Sequence, residues 1–189
     1  MNNNRKLIFA IGFVLMIFSQ NKIKGQDTWT RMNNFPGSGR KGAIGCTLGV
    51  KSYVGLGFDG VYHKDLWEYD PVSDTWVQLP DMPGQARAYA ACFALGNNIY
   101  ITTGYNGIFL FDTWVYNTST HTWSEGMNFP GGPRQGCIST VIGDRAYVGL
   151  GYDGAFRKDF YEFDASSNIW TPRTNFVGEG RIYASAFSI

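Results

Sequence analysis

Four arginines, Arg40, Arg87, Arg134 and Arg181, recur at an interval of 47 residues. A guanidinium group is always charged and presents a planar fork of N–H donors that fits a carboxylate. Gathered around one opening, such groups would make a pocket for an anionic or carbohydrate ligand. A residue repeated in every unit can equally serve every unit, by hydrogen-bonding carbonyls of the neighbouring sheet. Tyr89 and Tyr183 follow Arg87 and Arg181 by two residues, where Gly42 and Gly136 stand in the other units. Tyrosine adds a flat apolar face with a hydroxyl at its tip, which suits ligand binding.

Other reactive groups are sparse. Asp65, Asp112 and Asp159 keep the same interval, and Asp59 and Asp153 stand beside glycines. A calcium site needs six or more converging oxygens, and the spacing gathers no such cluster, so the aspartates are read as turn caps. The two histidines, His63 and His121, are isolated in the sequence. A serine or cysteine nucleophile needs a paired base, and none stands out. Catalytic residues and metal ligands are therefore not assigned, and no cofactor is expected. Cys46, Cys92 and Cys137 match no zinc spacing. They sit in small or apolar runs and are read as packing residues. In an exported protein their odd number leaves at least one thiol unpaired.

The same interval governs the elements that must position these residues. Trp29, Trp76, Trp123 and Trp170 are 47 residues apart, as are Tyr53, Tyr100 and Tyr147, and Gly57, Gly104 and Gly151. Such periodicity is the mark of a repeat protein. Each unit reads as four short strands. In the second unit these run from about Arg87 to Leu95, from Ile99 to Gly104, from Asp112 to Asn117, and onward from about Trp123. The turn Gly96-Asn97-Asn98 closes the first hairpin. The stretch Asn128-Phe129-Pro130-Gly131 breaks the last strand. One four-stranded sheet cannot bury both faces alone. Radial stacking of such sheets can, and that arrangement is a propeller.

The units resemble Kelch repeats. The residues that carry the resemblance are Tyr53, Gly57, Asp59-Gly60, Tyr69-Asp70-Pro71 and Trp76 in the first unit. In the third they are Tyr147, Gly151, Asp153-Gly154, Phe163-Asp164 and Trp170. One departure affects backbone detail: Kelch units carry two adjacent glycines after the second strand, and here the first is Leu56, Thr103 or Leu150. The whole is similar to exported bacterial Kelch proteins often labelled galactose-oxidase-like. The resemblance implies an all-β Kelch-type β-propeller with about three complete four-stranded blades and partial end blades. The repeats are expected at about 40–86, 87–133 and 134–180, with a fourth starting at 181. Residues 26–189 would form this partial propeller.

The resemblance also implies that Arg40, Arg87, Arg134 and Arg181 open the innermost strands near the mouth of the central channel. With Tyr89 and Tyr183 they are the candidate ligand-binding residues. It does not supply copper chemistry, because His63 and His121 fall in different loops of the repeat. The reading is an exported binding module for a glycan or a protein, leaning away from an enzyme. Two alternatives stand beside it: a carbohydrate-active enzyme such as a sialic acid mutarotase-like epimerase, and a structural cell-surface scaffold. A mutarotase would need an acid/base group beside the arginines, for which Glu179 is the best candidate. Units one and three match each other more closely than unit two, and unit four begins like unit two. This alternation suggests an ancestral two-blade duplication.

Composition sets the outer limits. Of 189 residues 16% are aromatic and 24 are glycine, while the net charge is only +1. Aromatic residues suit half-buried strands, glycines suit tight turns, and the charge balance argues against nucleic-acid partners. Arg5 and Lys6 precede an apolar run, Leu7–Phe18, too short to span a bilayer. Residues 1–25 are therefore read as a signal peptide, implying a secreted, periplasmic or cell-surface protein with no membrane span after its removal. Three blades do not close a ring, so about three further units are expected beyond Ile189. A strand at Trp29–Met32 is expected to complete the last of them.

Overall fold

The structure is a computed structural model that describes residues 29–188. The expected signal peptide lies outside the described residues. The chain divides after Arg31, and the unit from Met32 onward carries every strand among the described residues.

Twelve strands form three four-stranded antiparallel sheets, and there is no helix among the described residues. Blade 1 comprises β1 (Ile44–Leu48), β2 (Lys51–Gly55), β3 (Leu66–Asp70) and β4 (Thr75–Leu79). Blade 2 comprises β5 (Ala91–Leu95), β6 (Asn98–Thr102), β7 (Thr113–Asn117) and β8 (Thr122–Glu125). Blade 3 comprises β9 (Ile138–Ile142), β10 (Arg145–Gly149), β11 (Phe160–Asp164) and β12 (Ile169–Arg173). Each sheet is a simple meander, with strands hydrogen-bonded in chain order. The β2–β3, β6–β7 and β10–β11 loops therefore lie at one edge of the sheets, together with the links between blades. The remaining turns lie at the far edge.

The turns follow from their residues. Each innermost hairpin closes through two residues whose first is Gly49, Gly96 or Gly143, all at positive φ near 60°. That is the II′ pattern, whose twist matches the strands it joins. At the outer hairpins Asp70, Asn117 and Asp164 accept hydrogen bonds from the backbone N–H groups two and three residues on. The last turn residue there is left-handed, and it is Asp74, His121 or Asn168. His121 is thus a turn residue in repeat register, not an isolated ligand.

The core lies between blades. One apolar cluster joins Ile44, Tyr53, Leu56 and Leu66 of blade 1 to Cys92, Ile99, Ile101 and Tyr116 of blade 2. A second joins Phe93, Leu95 and Tyr100 of blade 2 to Ala146, Val148 and Phe163 of blade 3. Each fully buried large side chain here contributes roughly 1.5–3 kcal/mol. The outer-strand tryptophans clamp the same interfaces. Trp123 Nε1 donates to Pro80 O at 2.8 Å, and Trp170 Nε1 to Met127 O at 3.1 Å. Trp76 does the same to Asn33 O at 3.2 Å.

Some strand ends differ from the sequence expectation. The first strand of unit two begins at Ala91, not near Arg87, because Tyr89 is left-handed (φ 59°) and interrupts the ladder. The second ends at Thr102 for the same reason, since Thr103 has φ 63°. Residues 29–32 form no strand and Trp29 is exposed.

Candidate functional site: the mouth face

The arginine series lies at the edge of the sheets that carries the β2–β3, β6–β7 and β10–β11 loops, but it turns inward. Arg87 Nη1 and Nη2 hold the two oxygens of Asp112 at 2.7 Å each, and Nη1 also donates to Thr103 O at 3.1 Å. Arg134 repeats this with Asp159 (2.6 and 3.0 Å) and Leu150 O (3.1 Å). Arg40 reaches Asp65 at 2.6 Å and Leu56 O at 3.1 Å. The Arg87 and Arg134 side chains are 0% and 2% exposed and Arg40 5%. A buried guanidinium requires a counter-charge, and each aspartate supplies it within the same blade. The arginines thus serve each blade from within, bonding a carbonyl of their own blade and not of the neighbouring sheet as expected, and this withdraws the three groups from an incoming ligand. Of the four, Arg181 is exposed, with its guanidinium 4.6 Å from the Phe176 ring centre.

The clasp also accounts for the missing glycines. Leu56, Thr103 and Leu150 occupy the left-handed region at φ 54°, 63° and 59°, where a side chain costs roughly 1–2 kcal/mol. Their carbonyls accept the arginine hydrogen bonds, and their side chains are buried. The aspartates Asp65, Asp112 and Asp159 are therefore counter-ions to the arginines. The turn-cap expectation does not hold for them, because a buried fork stands within reach of each. Burial alone would raise the Asp112 pKa. The hydrogen bonds and charge of Arg87, with the Trp114 indole N–H, outweigh it and hold the carboxyl below its ordinary value.

Two residues beyond each arginine, a backbone thread runs from blade to blade. Tyr89 N–H donates to Gly42 O at 2.8 Å, Gly136 N–H to Tyr89 O at 2.9 Å, and Tyr183 N–H to Gly136 O at 3.1 Å. All four residues are left-handed, with φ between 58° and 64°. Glycine takes this conformation freely, whereas tyrosine there is strained. The alternation is steric. A Cβ on Gly42 would stand 2.6 Å from the Tyr89 ring, and one on Gly136 2.3 Å from Ile182 Cγ1 and 2.8 Å from the Tyr183 ring. The gap at Gly136 lets Tyr89 and Tyr183, two units apart, meet with ring centres 5.2 Å apart.

The three mouth-edge loops add an aromatic ladder. Phe58 and Tyr62 lie 4.7 Å apart, Tyr105 and Phe109 5.3 Å, and Tyr152 and Phe156 5.1 Å. Edge-on contacts of 6.4 Å (Tyr62–Tyr105) and 6.0 Å (Phe109–Tyr152) join the pairs across blades. Asp59, Asn106 and Asp153 cap the loops by accepting the N–H two residues on. The loops present Val61, Ile108 and Phe156 to solvent, each about 60% exposed. The sequence reading did not single out these rings. Their signal was available, since positions 58, 105 and 152, and 62, 109 and 156, keep the 47-residue interval.

Charged groups rim the ladder. Asp59 accepts from the Ser38 hydroxyl and lies 2.9 Å from His63 Nε2. The hydroxyl first, and then the imidazole, hold its carboxyl well below the usual range. Asp153 and Arg157 pair at 2.9 Å. His63 stands at this edge and His121 at the opposite one, so they share no site. Glu68 binds Lys51 and Tyr53, and Glu162 binds Arg173. Glu125 and Glu179 are exposed. No group of three metal-ligating side chains occurs among the described residues. The face offers apolar and aromatic surface with a charged rim, which is the chemistry of recognition.

Comparison with known proteins agrees with this architecture. The Kelch motif model matches residues 57–83 and 86–130. No curated protein sequence matches the chain. Among solved structures, one described as "Structure of YjhT" superposes with a TM-score of 0.72 at 20% sequence identity. The match covers 84% of this chain and 59% of that one. At that identity the likeness is one of fold.

Proposed function

Starting from a chain that is a Kelch-repeat β-propeller, we propose that it is an exported, non-enzymatic binding module whose mouth face docks a partner protein. The observation that carries the reading is the aromatic ladder Phe58–Phe156 with its exposed tips Val61 and Ile108. Exposed apolar surface rimmed by charge marks an interaction site. Tyr89 and Tyr183 extend this face, and their strained backbone is the kind found at functional positions. Photo-cross-linkers placed at Ile108 and, on the far edge, at Val72 test it. A partner polypeptide should be labelled from Ile108 and not from Val72. Equal or reversed labelling overturns the reading.

A glycan is the second reading, favoured by the tilted pair of tyrosine rings, Tyr89 and Tyr183. A glycan-array signal lost in Tyr183→Ala would select it over a protein partner. Export rests on Arg5, Lys6 and the apolar run Leu7–Phe18. A mature N-terminus between about residues 20 and 28 is expected by mass spectrometry, and an intact Met1 on the exported protein removes that part of the proposal.

A further inference from the structure

Three cysteines occupy three different settings. Cys46 is on β1 and Cys92 on β5, the innermost strands of adjacent blades, and their sulfurs lie 3.0 Å apart. Cys137 lies just before β9, with its sulfur near Leu150 O at 3.5 Å. We propose that Cys46 and Cys92 are a redox pair whose oxidation to a disulfide staples blade 1 to blade 2.

Three observations carry the pairing. First, the sulfurs already face each other, and closing to the bonded distance of about 2.05 Å needs a shift of roughly 1 Å. Second, the contact is not a requirement of the repeat. At the blade 2–blade 3 interface the same two positions hold Phe93 and Ser139, and Ser139 instead donates to Cys92 O at 2.7 Å. Third, an oxidant has a route in. A cavity of about 430 Å³ along the innermost strands is lined by Cys46, Cys92, Phe93 and Ser139. Cys46 is half-buried and also lines a second cavity, with Ser52, Tyr53 and Val54 of β2. Cys92 is buried, and its hydrogen bond to Cys46 and its burial both push its thiol pKa up.

The chemistry is thiol–disulfide exchange with a small-molecule disulfide. Cys46 loses its proton and its sulfur attacks the reagent's S–S bond, forming a mixed disulfide and releasing one thiol. Cys92 then loses its proton and attacks the Cys46 sulfur, expelling the second thiol. Two protein thiols are oxidised and one reagent disulfide is reduced to two thiols. Cys137 takes no part: burial pushes its pKa up to about 12, and its sulfur has no second thiol in reach.

The test uses the full chain treated with oxidised glutathione, then unfolded with free thiols blocked. Peptide mapping should find a Cys46–Cys92 disulfide with Cys137 blocked as a free thiol, and the intact mass read before blocking should fall by about 2 Da for the two hydrogens removed. The melting temperature should rise by several degrees on oxidation and fall back with reductant. Cys137→Ser should keep the disulfide and the shift, and Cys46→Ser should lose both. Three blocked thiols after oxidation, a bond to Cys137, or a bond between chains would overturn the proposal. Mapping the native protein decides the matter even if a variant fails to fold.

Discussion

Arg87 and Tyr89 stand two residues apart at the same edge of blade 2, yet they behave as parts of different systems. Arg87 is matched in every unit, is wholly buried, and commits its fork to Asp112 and Thr103 O of its own blade. Tyr89 is matched only in alternate units and crosses over blade 3 to meet Tyr183. A residue that recurs in every blade must satisfy a need that every blade has, here a left-handed residue at the end of the second strand. A residue that alternates is released from that need and can shape a surface.

The comparison is broken most forcefully at the clasp. Arg87→Ala empties a buried space and leaves the Asp112 carboxylate facing it. Losing one partner of a buried pair costs about 3–5 kcal/mol. A value near the lower end is expected, because the Asp112 side chain is 37% exposed and water screens part of the loss. Chemical denaturation should show it as an earlier midpoint.

Acid should produce a smaller loss by the same route. The folded-state pKa of Asp112 is depressed. Its contribution is therefore fully present above the unfolded value of about 3.9 and disappears as pH falls through the depressed one. Stability measured from pH 6 down to pH 2 should fall less steeply in Arg87→Met than in the wild-type protein. Parallel curves would separate Asp112 from the clasp.

The smallest effect is expected at the alternating position. Tyr89→Gly relieves a left-handed tyrosine, worth about 1 kcal/mol. It also loses the contact with Tyr183 and adds freedom to the unfolded chain, worth about 0.4–1 kcal/mol. The net change in unfolding free energy should stay within about 1 kcal/mol, while partner or glycan binding at the mouth weakens. A loss as large as that of Arg87→Ala would mean that the tyrosine belongs to the blade and not to the surface.

How much of this was legible depended on whether a feature repeats. The 47-residue interval carried the blades, the tryptophan clamps and the arginine and aspartate series, because each blade solves the same packing problem. It did not reveal that Arg87 and Asp112 meet. The same fork also takes the carbonyl of Thr103, which is left-handed, and threonine gives no local sign of turning so. Glycine would have, but it stands at Gly104 instead. The ring pairs of the mouth loops kept the interval openly, yet were hidden by the aromatic richness of the strands around them. The Cys46–Cys92 pair was beyond reach of the repeat, since the two residues occupy different positions in their units and meet only through the register of two blades.

The claim that the arginine series works inside the blades is tested most directly by a double-mutant cycle on Arg87→Met and Asp112→Asn, read as unfolding free energy. A fully engaged clasp should give a coupling energy of about 1.5–3 kcal/mol. A coupling below about 0.5 kcal/mol, with each single variant folding normally, would mean that the two side chains act independently and would return Arg87 to the mouth as a free binding group.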